Sequence, residues 1–236
     1  MLAAPLKRML FGLGDEHVIL DPRSGQLLHP EALLAFERLC ADARGSGFDP
    51  KVVSGFRSFE RQRTIWNDKV AGLRPVLDSC GVELDVTQLS PVQTAFAILR
   101  WSALPGASRH HWGTDFDVVD AAAMPDDYRP RLTPQEVADD GIFGPFHCWL
   151  DQRIAAGQSY GLFRPYAEDR GGVAPERWHL SYAPRALELQ QLLTPERLCE
   201  QLQSCELELC DTVCEQIDEI YTRFVWVPDH CYPAAQ

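Results

Sequence analysis

The sequence predicts an α+β fold, a small antiparallel sheet with helices gathered around it and a helical C-terminal tail. Three observations carry this. Short runs of strand character stand isolated in the chain: Lys51-Val52-Val53-Ser54-Gly55, Phe116-Asp117-Val118-Val119 and Arg177 to Tyr182. Between them the apolar residues recur at helical spacing, as in Leu33, Leu34, Phe36 and Leu39. The length of 236 residues suffices for one good core.

Taken in order, His29-Pro30-Glu31 opens the first helix, because proline presets the backbone angle of a first helical residue. Gly45, Gly47 and Pro50 then mark a turn into the first strand. Ser58 has the hydroxyl to cap a helix with its body at Arg61 to Val70. A further helix is expected from Pro91 to Trp101, stopped by Pro105-Gly106. The strand at Phe116 follows a glycine turn at Gly113. Ala121 to Gly144 is rich in Pro, Asp and Gly and is expected to be a loop. A helix from Phe146 to Tyr160, a strand from Arg177 to Tyr182 and a helix starting at Pro184 complete the body. In the tail, Thr194 caps a segment running to Arg223 whose Leu198, Leu202, Leu207, Val213, Ile217 and Ile220 suit one or two packed helices. The expected organisation is a domain over residues 1–184 and a helical extension over 185–236 packed on the same core.

The formal net charge of −12 argues against a general nucleic-acid or anionic-membrane binder, since long-range repulsion opposes encounter. No stretch approaches the ~20 apolar residues of a spanning helix. Met1 to Leu13 lacks the apolar run of a secretory leader. The expectation is a cytoplasmic protein, or a periplasmic one if a leader is missing. Of eight cysteines, Cys199, Cys205, Cys210 and Cys214 crowd the tail. No C-x-x-C pair supports a metal site there, so free thiols are expected.

Chemistry concentrates in three segments: Ser54 to Ser58, Ser108 to Asp117, and Glu176 to His179. Hydrolytic zinc takes four N, O or S ligands and keeps one position open for water. Two histidines and a carboxylate leave the site near a charge of +1. His110, Asp117 and His179 can supply that set, with Gly113 allowing the chain to return between the first two. Activated water needs a proton acceptor, and Glu176 lies three residues before His179. Attack on a carbonyl develops negative charge, which Arg57 can stabilise because a guanidinium stays protonated.

The order Ser54-Gly55-Phe56-Arg57-Ser58, then Ser108-x-His110-x-x-Gly113-x-x-x-Asp117, then Glu176-x-Trp178-His179 resembles the VanY-type D-alanyl-D-alanine carboxypeptidases. These are zinc peptidases related to lysostaphin-type enzymes and sonic hedgehog. The match runs from about Leu33 to Tyr182 and includes Gly171-Gly172. The resemblance implies one Zn2+ on His110, Asp117 and His179, Glu176 as general base, and Arg57 polarising the scissile carbonyl. It further implies that Ser108 orients the substrate, a peptidoglycan peptide or muropeptide, and that a C-terminal D-residue is freed.

One residue departs from the pattern. Asp115 stands where that family usually has a small residue, as in penicillin-insensitive murein endopeptidases, and it is a rival carboxylate for the metal. Internal cleavage of D-Ala cross-links is therefore the alternative, and a zinc-stabilised binding module without turnover is a third reading, disfavoured by Glu176. Gln62 and Arg61 are candidates to reach a substrate carboxylate, or form an exposed helix face. Tyr166 and Arg164 are candidate pocket edges. Trp112 and Trp178 read as packing and pocket wall, and His111 as facing away or lining a rim.

Overall fold

A computed structural model describes residues 2–234. Helix α1 (Ala4–Phe11) leads to a hairpin of two short strands, β1 (Ile19–Leu20) and β2 (Leu27–Leu28). Helix α2 (Pro30–Gly45) follows, with the His29 side chain accepting from the Glu31 N–H at its first turn. Strand β3 (Pro50–Ser54) leads into α3 (Phe59–Val70), capped by Ser58, and then α4 (Pro91–Trp101), whose Ser90 and Gln93 form a reciprocal capping box. Strand β4 (Asp115–Asp120) is followed by the single turn α5 (Pro134–Val137) and by α6 (Gly144–Ala155). Strands β5 (Leu162–Phe163) and β6 (His179–Tyr182) complete the sheet. The tail holds α7 (Ala183–Leu192), α8 (Pro195–Gln203), α9 (Cys210–Glu215) and α10 (Ile217–Ile220), the last running into a wider helical turn at Tyr221–Val225.

The expected α+β class is found, with an antiparallel four-stranded sheet in the order β3-β4-β6-β5. In β4 and β6 side chains alternate between two faces. Phe116, Val118 and Leu180 point to one face, where they are fully buried against α2 and α6. Burial of each such side chain contributes about 1.5–3 kcal/mol. The alternation sends Asp115, Asp117, His179 and Ser181 to the other face, and pairing in register sets Asp117 opposite His179. Hydrophobic packing on one side therefore holds the polar side in place.

A second apolar cluster joins Leu10, Phe11, Phe59, Trp66 and Ile98 to Leu198, Leu202, Leu207, Val213 and Ile220 of the tail. Several boundaries differ from expectation. Gly45 lies inside α2, and the helix expected to reach Tyr160 ends at Ala155, with Gly157 in the left-handed region (φ 67°). The strand expected from Arg177 starts at His179, because the His179 N–H bonds back to the Glu176 carbonyl at 3.2 Å and closes a turn over Arg177 and Trp178. The tail forms three short α-helices after α7, where the spacing suggested one or two. All eight cysteines are free. No helix among the described residues is long and apolar enough to cross a membrane.

Candidate active site

Ser108 opens a tight turn at Arg109–Trp112 that Gly113 closes with φ 67°. A side chain at Gly113 would meet both strain and the Val18 side chain. This turn carries His110 back over β4, so that its imidazole faces Asp117 while His179 arrives from β6. The three donor groups lie within 4.8 Å of one another, and all are buried. Asp117 Oδ2 stands 3.7 Å from His110 Nε2, and Asp117 Oδ1 stands 3.1 Å from His179 Nδ1.

Each ring is held from its other edge. His110 Nδ1 lies 2.9 Å from the Gly55 carbonyl, to which it can only donate, so Nε2 presents its lone pair to the cluster. His179 Nε2 lies 3.1 Å from Asp115 Oδ1, which leaves Nδ1 for the cluster. Burial lowers the His110 pKa to about 4, keeping it neutral at neutral pH. Burial also opposes charge on His179, but hydrogen bonds to Asp115 and Asp117 outweigh it and raise that pKa to about 10. Asp117 is held below the usual carboxylate range; burial would raise it, and His110, His179 and Arg57 more than offset this. Two imidazole nitrogens and one carboxylate oxygen, buried and convergent, make a donor set suited to zinc; calcium prefers six to eight oxygens.

The trio faces a cavity of about 730 Å³ that is also lined by Arg57, Ser108, Glu176, Tyr166 and Trp178. Glu176 Oε2 lies 3.7 Å from His179 Nδ1. Its burial pushes the carboxyl up to about 7, with Asp117 adding to the rise and His179 opposing it. Arg57 donates to Gln62 Oε1 at 2.9 Å and to Ser54 Oγ at 3.2 Å; burial lowers its pKa, and Asp117 and Glu176 oppose that in part. The Ser108 hydroxyl is buried without a protein partner.

Other expected site residues are placed differently. Gln62 is fully buried and lies outside the cavity lining. Its amide is spent on Arg57 and on the Ala103 carbonyl at 2.7 Å, so it supports Arg57 instead of reaching toward a ligand. Arg61 is exposed on α3. Tyr166 does line the cavity, its ring 5.1 Å from that of His179, whereas Arg164 turns to His147 and Asp151. Asp115 is not a rival ligand: it sits behind His179, bound to Arg109 and Thr114. His111 faces away from the cavity, the first of its two expected placements, fully buried with its Nδ1 donating to the Arg57 carbonyl and its Nε2 accepting from Gly106 N–H. Sequence reasoning missed Arg109, Lys69 and Arg131. The latter two also line the cavity, but a charged residue in a helix or loop carries no local signal of facing a site.

The small α+β fold thus presents, at one cavity, a buried donor set able to hold a metal ion. The family model for VanY, D-alanyl-D-alanine carboxypeptidase, matches residues 25–185, and the chain belongs to that family. It is thus an enzyme, a peptidase of the D-alanyl-D-alanine carboxypeptidase family. An uncharacterised protein of Haemophilus influenzae is 44% identical over 99 residues, 41% of this chain and 68% of that one. The bifunctional D-Ala-D-Ala dipeptidase and D-Ala-D-Ala carboxypeptidase VanXYC of Enterococcus gallinarum is 26% identical over 188 residues, 77% of this chain and 80% of that one. In fold the chain is similar to the LdcB LD-carboxypeptidase, with TM-score 0.50 and 17% identity, over 88% of this chain and 78% of the other.

Proposed function

We propose that the protein is a zinc-dependent carboxypeptidase that removes a C-terminal D-alanine from peptidoglycan-derived peptides. The observation that carries this reading is convergence: three metal donors, a buried carboxyl with a raised pKa and a guanidinium all face one cavity. A volume of about 730 Å³ suits the end of a short peptide, within the ~300–1,000 Å³ range of small-ligand sites. The names of the matched family and of VanXYC supply the D-Ala-D-Ala chemistry.

In this reading His110, Asp117 and His179 hold the ion. Bound there, zinc supplies the Lewis acidity that polarises a carbonyl and acidifies water. Glu176 accepts the proton of the attacking water and passes it to the leaving amine; its burial beside the donors, which raises its proton affinity, suits it to carry that proton. Arg57, held in place by Gln62 and Ser54, stabilises negative charge developing on the carbonyl oxygen. Ser108 offers its unpartnered hydroxyl to the substrate. Tyr166 and Trp178 form apolar wall around these polar groups. Terminal cleavage is favoured over internal, because Asp115, the residue behind the endopeptidase alternative, lies outside the cavity lining.

The test is incubation of zinc-loaded protein with D-Ala-D-Ala, UDP-muramyl tetrapeptide and pentapeptide, and a cross-linked muropeptide dimer, with products identified by mass. Loss of a single terminal D-alanine is expected. Splitting of the dimer alone points to an endopeptidase, and retention of zinc without any cleavage points to a binding module.

A further inference from the structure

Beside the donor trio, on the same face of the sheet, lies a further polar layer, and it reaches the C-terminal segment. Asp115 is fully buried, and both of its oxygens are engaged. Oδ1 accepts from Arg109 Nε at 2.7 Å and faces His179 Nε2 at 3.1 Å, while Oδ2 accepts from Thr114 Oγ1 at 2.6 Å. Arg109 is itself almost fully buried. One terminal nitrogen donates to Ser181 Oγ at 2.7 Å. The other donates to Gln190 Oε1 and to Tyr232 Oη, each at 3.2 Å. Gln190 is anchored in turn by Val227, whose carbonyl and N–H both bond its amide, and Tyr232 Oη donates to Gln190 Oε1 at 3.0 Å. The guanidinium also packs over the rings of Trp112 and Tyr232.

A buried ion pair is costly unless its remaining donors and acceptors are satisfied. Here they are met by residues from β6, α7 and the far C-terminal segment, so the pair has one available geometry. We propose that Asp115 and Arg109 are positioning residues for the metal centre, and that Gln190 and Tyr232 tie the tail to it. This rests on the zinc reading above. The carboxylate accepts the Nε2 proton of His179, so Nδ1 keeps the tautomer and direction a ligand needs. Arg109 restrains Asp115 to that role, so that it does not swing round to compete as a ligand, and balances its charge. The tail segment at Val227 and Tyr232 becomes part of the zinc site without touching it.

The experiment measures zinc affinity by chelator competition, together with the visible spectrum of the cobalt(II)-substituted protein, a report on coordination that a mere loss of packing would not shift. Asp115→Asn is expected to weaken zinc about 10–100-fold and to alter the cobalt bands. Arg109→Lys, which keeps the charge but not the fork, is expected to fall between wild type and Asp115→Asn. Tyr232→Phe removes one hydroxyl at the end of the chain of bonds and serves as the mild variant should the buried substitutions unfold. It is expected to weaken zinc severalfold with a cobalt shift in the same direction. His110→Ala separates the two levels. If it keeps wild-type zinc binding, the site reading fails and this proposal with it. If it loses zinc while folded Asp115→Asn and Tyr232→Phe bind zinc within twofold of wild type and give its cobalt spectrum, only the positioning role is overturned.

Discussion

The two walls of the cleft are built differently. The wall that holds His110, Asp117 and His179 is a sheet face and a glycine-closed turn, every donor buried and each ring fixed from its far edge. The opposite wall, which includes residues 75–81 and 131–135, lies mostly outside regular elements and is largely exposed. Groups that must meet within tenths of an ångström sit on the rigid element, and groups that select a ligand sit on segments free to vary. Substitutions on the first wall should therefore change turnover or metal retention, and those on the second should change substrate preference.

Glu176→Gln should produce the largest change in turnover. It removes the proton carrier and no ligand, so zinc content should stay at wild type while kcat falls about 10²–10⁴-fold. Wild-type kcat/KM should have an acid limb at or below about pH 7, the raised value of the buried Glu176 carboxyl before a bound dication draws it down. Activity is present above that limb and lost below it, and a steady-state pH profile of both proteins checks this.

Arg57→Gln should cost about 10²–10³-fold in kcat, the scale of losing an oxyanion donor. Gln62→Leu, which leaves Arg57 present but unheld, should cost about ten- to hundredfold through misplacement. Equal losses in the two variants would mean that position matters as much as charge; no loss in Gln62→Leu would remove its supporting role.

Zinc binding should depend on pH. In the ion-free protein Asp115 and Asp117 hold His179 protonated up to about pH 10, whereas His110 is already neutral above about pH 4. Binding must expel one proton from His179 and, below about pH 7, part of a second from Glu176, so apparent affinity should rise about tenfold per pH unit near pH 8 and more steeply toward pH 6. Calorimetry in buffers of different ionisation enthalpy should give close to one proton released per zinc at pH 8, and more at pH 6.

The smallest effects belong to the second wall. Lys69→Ala and Arg131→Ala should raise KM for anionic peptides severalfold and leave kcat nearly unchanged, because both are cationic groups of the cavity lining outside the elements that carry Glu176 and the metal donors. A kcat effect equal to that of Arg57→Gln would place them within the chemistry and erase the contrast between walls.

Much of the first wall was legible in the sequence, because its parts are local. A glycine at the turn, alternation in β4 and the three-residue step from Glu176 to His179 are all set by neighbours in the chain. The polar-apolar alternation of Asp115-Phe116-Asp117-Val118 already says that the two carboxylates share a face. What it cannot say is which of them meets His110. That is decided by the register with β6 and by Arg109, whose partners Gln190 and Tyr232 lie 81 and 123 residues away. For the same reason Gln62 read as a group free to reach a ligand, although contacts with residues about 40 positions on consume its amide. The end of α6 and the start of β6 were misjudged where turns closed by backbone hydrogen bonds, not periodicity, set the limit.

X-ray absorption at the zinc edge, joined to metal content after dialysis, tests most directly whether these three side chains hold the ion. One zinc per chain is expected, in a shell of nitrogen and oxygen that includes two imidazoles, with the metal lost in His179→Ala. Sulfur in the shell, drawn from the tail cysteines, or undiminished zinc in that variant would contradict the account.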